Sequence, residues 1–167
     1  MGFTEGLGEP EIVTLLFTDL VGSTELLGQL GEQGAEALRR THFDLIREAV
    51  AVHRGREVKT LGDGFMVVFA SAVDALDCAV AIQRAVDSRR RNAGAVPLEV
   101  RIGLHLGEPI RHEGDFFGTP VVVASRLCSS AAGGEILTSE VLRSVVGARG
   151  DFVFRAVGPL ALKGMSE

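Results

Sequence analysis

Four residues apart in the stretch Val58 to Val68, VKTLGDGFMVV, stand Lys59 and Asp63, a cation and an acid in otherwise apolar surroundings. Gly62-Asp63-Gly64 is a hairpin turn, because both glycines permit positive φ and aspartate tolerates turn geometry. A solvated turn with a snorkelling lysine satisfies this stretch taken alone. A second acid, Asp19, closes the apolar run EIVTLLF and is followed by Leu20-Val21-Gly22-Ser23-Thr24 before a helical pattern. Backbone N–H groups at such a strand-to-helix turn face outward and suit anionic ligands, although Asp19 or Ser23 could equally cap the helix. Arg101 sits in mid-strand beside Gly103, Arg126 lies within a helical run, and Lys163 falls near the end of the chain. Two carboxylates brought together repel unless a cation separates them, and oxygen-only ligands favour Mg²⁺ or Mn²⁺ over Zn²⁺. Such a site completes its shell with water and phosphates, which the three basic residues could neutralise.

The elements that must position these residues follow from periodicity. Glu11–Phe17 reads as a buried strand. Leu26–Val52 carries apolar residues at helical spacing, with breaks at Gly31 and Gly34 and with Glu36, Arg39, Arg40 and Glu48 directed outward. The hairpin occupies about 56–70, and a helix follows with Ala75, Leu76, Ala79, Val80, Ile82 and Val86 on one face. Leu98–Leu106 alternates as a strand, a helix starts near Pro120, EILTS is a short strand and Glu140–Val146 a short helix. DFVFRAVGPLALKG begins as a further strand. His42 and His53 read as structural histidines. The order is that of a split βαβ arrangement, so the expected fold is α+β, a ferredoxin-like sheet layered with helices. In this arrangement the first strand and the hairpin are central, which brings Asp19 toward Asp63. Residues 1–10 read as a lead-in and 11–167 as one domain, with no internal repeat.

Composition narrows the function classes. The 167 residues are 46% hydrophobic and 23% charged, with a formal charge of -5. That balance excludes general disorder and offers no basic footprint for a nucleic-acid polymer. Cys78 and Cys128 lack metal-ligand spacing and read as reduced core residues of a cytoplasmic protein. No apolar run approaches the ~18 residues of a membrane span, so no membrane insertion is expected.

In order and at compatible spacing, FTDLVGST, VKTLGDGFMVVF, VRIGLHLGE, GDFFGTPVVVASRL and LKG resemble the class III nucleotidyl cyclases, most of all bacterial adenylyl cyclase catalytic domains of the mycobacterial type. The resemblance spans Val13 to Gly164. It implies that Asp19, Asp63 and the Leu20 carbonyl hold two Mg²⁺ or Mn²⁺ ions. It also implies that Lys59 and Asp115 select adenine, that Arg126 stabilises the transition state, and that Arg101 and Lys163 bind the terminal phosphates. The implied reaction converts ATP to 3′,5′-cyclic AMP and pyrophosphate. Sites would be shared across a homodimer, with Asp19, Asp63 and Arg101 from one subunit and Lys59, Asp115, Arg126 and Lys163 from the other. Two departures stand out. Val122 occupies the position, four before Arg126, where the family carries an asparagine, which leaves a weakly active or inactive nucleotide-binding module as the alternative. The family also continues beyond LKG with another short strand.

Overall fold

A computed structural model describes residues 9–92 and 98–160. Its elements, in chain order, are β1 (Val13–Val21), α1 (Ser23–Val52), β2 (Arg56–Leu61), β3 (Gly64–Phe69), α2 (Ala72–Arg90), β4 (Glu99–Gly107), β5 (Ile110–His112), β6 (Asp115–Phe117), α3 (Thr119–Ser130), β7 (Ile136–Thr138) and α4 (Glu140–Val146). The main sheet runs β2-β3-β1-β4-β7. Pairing is antiparallel except between β4 and β7, which are parallel. This is the expected α+β sheet with β1 at its centre, but the hairpin is not central as a whole: β3 pairs with β1 while β2 forms an edge.

Both faces of the sheet are covered, and alternation along β1 shows why. Leu16 and Leu20 join the larger apolar cluster with Ile46, Phe65, Ile82, Ile102 and Leu142, on the side of α1, α2 and α4. Val13, Leu15 and Phe17 join Met66, Val68, Phe116, Ala124 and Cys128 on the other side, under α3 and β6. A strand buried on both faces reads as a continuous apolar run, and period 2 assigns its residues to the two layers. Helices α2 and α4 are capped by serine hydroxyls: Ser71 accepts from the Asp74 N–H and Ser139 from the Leu142 N–H. Helix α1 is interrupted at Gly31 (φ 74°, ψ 174°), so its two parts differ in direction as the glycine break predicts.

Two close approaches set the geometry of the site. A Cβ on Gly64 would strike the Thr18 carbonyl oxygen and come within 3.4 Å of the Asp19 Cα, so only glycine lets the hairpin turn lie against β1. A Cβ on Gly103 would stand 2.7 Å from the Ala124 oxygen, so glycine there lets α3 settle directly on β4. The register of β2 on β3 slips between Glu57 and Lys59, a bulge that leaves Val58 without a cross-strand partner.

Two expectations are corrected. The segment after α4 forms no strand among the described residues: Phe152 and Phe154 pack on the core and Val153 is 98% exposed, but ladder bonds are missing. Alternation alone does not make a strand where no neighbouring edge accepts it. Between β4 and α3, where periodicity assigned no element, the chain forms the hairpin β5–β6, turned through Glu113 (φ 50°) and Gly114 (φ 79°). No helix among the described residues is long and apolar enough to cross a membrane.

Candidate active site

Asp19 sits near the end of β1, directly opposite Arg101 of β4 in the antiparallel ladder. Arg101 donates to the Asp19 carboxylate through Nη2 at 2.7 Å and Nε at 3.2 Å, and through Nη1 to the Ser129 carbonyl at 3.0 Å. The helix-capping role considered for Asp19 is therefore not the one it performs. The Phe65 N–H donates to the Thr18 hydroxyl at 3.0 Å and fixes the start of β3 on β1, placing Asp63 beside this group. Leu20, buried at 6% exposure, follows Asp19 opposite Val100.

Asp63 receives an ion pair that the sequence pattern missed. Arg39, assigned by helical periodicity to the outward face of α1, places Nη2 2.8 Å from Asp63 Oδ1. The signal available was only its position one turn before Phe43, whose ring packs edge-on against Phe65 at 4.7 Å. Each of the two carboxylates is thus paired with a guanidinium group, Asp19 with Arg101 and Asp63 with Arg39. Among the described residues no group of three or more His, Cys, Asp or Glu side chains is assembled for a metal. Asp19 and Asp63 still fit hard divalent cations, because Mg²⁺ is held by one or two carboxylates together with water and substrate phosphates.

A second cluster lies on the opposite face of the hairpin. Lys59 Nζ donates to Asp115 Oδ2 at 2.8 Å and stands 5.9 Å from the centroid of the Phe117 ring. Asp115 also accepts from the Phe116 N–H at 2.7 Å. The Lys59 hydrogen bond holds the Asp115 carboxyl below its ordinary range. Phe17, Lys59, Leu61, Met66, Val122 and Arg126 line a cleft of about 250 Å³ together with Val121 and Ser125. Arg126 makes no hydrogen bond or ion pair with the described residues, so a cationic donor faces this cleft uncommitted. Val122, 41% exposed, shares the cleft with it, as their helical spacing predicts. Ser125, not singled out by sequence, lies there too, whereas Thr119 does not line it. Lys163 lies outside the described residues.

The structure therefore gathers the candidates into two groups, Asp19, Asp63 and Arg101 on one side and Lys59, Asp115 and Arg126 on the other. His42, expected to be structural, is 5% exposed, and burial pushes its imidazole down to about 4, helped by Arg89 and opposed by Asp63. Cys78 and Cys128 are free and buried.

The profile of the adenylate and guanylate cyclase catalytic domain matches residues 8–167. The chain belongs to this family of nucleotidyl cyclases. Among curated relatives, the adenylate cyclase of Podospora anserina is 34% identical over 155 residues, covering 77% of this chain and 7% of the fungal protein. The cyclase chain spans well under half the length of the curated relatives it matches. Among solved structures, it is similar to the adenylyl cyclase CyaB of P. aeruginosa, with a TM-score of 0.86, 27% identity, and coverage of 95% of this chain and 91% of that one. It is also similar to the guanylyl cyclase Cya2, with a TM-score of 0.83, 26% identity, and coverage of 96% and 90%. The fold of the cyclase catalytic domain is thus common to enzymes named for either base.

Proposed function

We propose that this cyclase domain is an adenylyl cyclase that converts ATP to 3′,5′-cyclic AMP and pyrophosphate in the cytoplasm, as a homodimer with shared sites. The observation that carries the base choice is the Lys59–Asp115 pair at the 250 Å³ cleft. Adenine presents an acceptor ring nitrogen beside a donor amine, which suits a lysine donor and a carboxylate acceptor held together. Guanine presents the reverse pattern and would leave both groups unpaired.

In this reading Asp19, Asp63 and the Leu20 carbonyl hold two Mg²⁺ or Mn²⁺ ions, which would lower the pKa of the ribose 3′-hydroxyl and offset charge on the phosphates. The 3′-oxygen bonds to the α-phosphorus, the bond from that phosphorus to the bridging oxygen breaks, and pyrophosphate leaves as the hydroxyl proton is lost. Arg126, uncommitted in the cleft, donates to the α-phosphoryl oxygens as charge builds there. Arg101 and Lys163 bind the terminal phosphates, which requires Arg101 to turn from the Asp19 carboxylate. Lys59 and Asp115 orient the base and so fix the ribose.

The homodimer is supported by the division of candidates into two groups, each lacking what the other holds. A two-fold axis would join the first group of one subunit to the second of its partner, giving equivalent sites. Turnover of ATP and GTP with Mg²⁺ and with Mn²⁺ tests the activity: cyclic AMP no greater than that from Asp63→Ala would overturn it. Mixing Asp63→Ala with Lys59→Ala tests sharing, since heterodimers hold one intact site and should recover part of the activity. A second reading, a nucleotide-binding module of little or no turnover, is favoured by Val122 alone. Tight binding of a non-cyclisable ATP analogue without product from ATP would establish it.

A further inference from the structure

We propose that Arg39 is the resident counter-ion of Asp63, a competitor that a divalent cation must displace, so that Arg39 sets the cation concentration at which the site loads. The inference rests on the reading of Asp63 as a cation ligand and adds to it a residue of α1 to which that reading gives no role. Arg39 Nη2 lies 2.8 Å from Asp63 Oδ1, and that oxygen is sealed from water. A guanidinium and a metal ion drawn to one carboxylate oxygen compete, because the two cations repel each other and each draws on the same negative charge. Binding at Oδ1 is therefore opposed by the resident Arg39.

Two features make Arg39 displaceable rather than fixed. Its side chain is 44% exposed against 20% for Asp63, so on release the guanidinium regains water while the incoming cation neutralises the largely buried carboxylate. Its backbone is held in place independently: Phe43, one turn on, packs against Phe65 at the start of β3, and Arg47 stands 5.2 Å from the same ring. The helix can therefore stay where it is while one side chain swings. Arg101 on Asp19 differs, since it is also bonded to the Ser129 carbonyl and faces its acid within the sheet ladder.

The test is Mn²⁺ binding to nucleotide-free protein, followed by electron paramagnetic resonance, which requires no turnover. Exposed ion pairs shift equilibria by roughly 1.5- to fivefold, so Arg39→Ala should bind Mn²⁺ tighter than wild type by about that factor. Arg39→Gln, which keeps a polar side chain without the charge, should show the same tightening. Asp63→Ala should lose the site. Unchanged or weaker Mn²⁺ binding in both Arg39 variants, with binding lost in Asp63→Ala, overturns the competition and leaves the metal reading intact. Wild-type binding in Asp63→Ala removes Asp63 as a ligand and overturns both.

Discussion

Lys59 Nζ and Asp115 Oδ2 stand 2.8 Å apart within one protomer, so the two groups assigned to the base neutralise each other before any nucleotide arrives. Their contact spans 56 residues of sequence and joins β2 to β6. Lys59→Glu would set two carboxylates against each other in that place. ATP turnover should fall by at least about a hundredfold, because the ring nitrogen loses its donor. The measurement is the ratio of cyclic AMP formed from ATP to cyclic GMP formed from GTP at equal nucleotide concentration; an unaltered ATP rate would remove Lys59 from base recognition.

Val122→Asn restores a polar side chain four residues before Arg126, on the same side of α3 and in the same cleft. One oriented contact to the reacting ribose or phosphate should raise the ATP rate about tenfold or more. Since Val122 is 41% exposed, the melting temperature should stay within about 2 °C. A rate that does not rise would show that an asparagine here adds no contact that matters to turnover.

Gly64 and Gly62 flank the same aspartate and should respond differently to alanine. At Gly64 the new Cβ meets the Thr18 carbonyl, which is held in the central strand and cannot yield. Overpacking of this kind should cost about 3 kcal/mol, or roughly 6–12 °C of melting temperature. At Gly62 (φ 59°) the space is open, and only the left-handed backbone is disfavoured, at about 1 kcal/mol. Thermal melts of the two variants, side by side, check the order.

His42 makes stability depend on acid. Its folded-state imidazole titrates at about 4, below the ordinary 6.5, so the unfolded chain takes up a proton first as pH falls. Stability supplied by the neutral ring is complete above 6.5 and is lost progressively down to about 4. Arg89 favours the neutral form from α2 and Asp63 opposes it from the turn. His42→Phe should flatten the fall in melting temperature across that window; an equal slope in both proteins would assign the acid sensitivity elsewhere.

Cys78 and Cys128 should be silent toward thiol reagents in the native state. Burial pushes both thiols up to about 12, with Asp19 adding to the effect at Cys128. The thiolate is the reacting species, so labelling by a disulfide reagent should require denaturant. Rapid labelling of either residue at neutral pH would show that α2 or α3 opens readily.

Long periodic segments were legible from sequence because burial imposes a repeat on them. The short helix Glu140–Val146 and the turn at Gly62-Asp63-Gly64 occur where composition places them. The hairpin β5–β6 was not legible, since strands of three residues are too short to display alternation, and only Glu113-Gly114 signalled the turn. The segment at Phe152 and Phe154 alternates yet pairs with nothing described, because a ladder depends on what lies alongside. At the candidate site, Asp19, Asp63, Arg101 and Lys59 stood out by residue type and spacing, whereas Asp115 was named only through the family resemblance. Arg39 was hidden, since the reach of a long side chain on an outward helix face depends on which turn packs beneath it.

The bulge at Val58 has a consequence for substitution at position 59. In regular pleating, neighbours point to opposite faces, yet Val58 packs into the cluster with Met66 and Phe116 while Lys59, paired with Met66, also opens onto that side. Anchoring and recognition are thereby assigned to adjacent residues on one surface. The anchoring role stays with Val58 when position 59 is exchanged, so the side chain presented to the cleft can change without retuning the sheet that carries it.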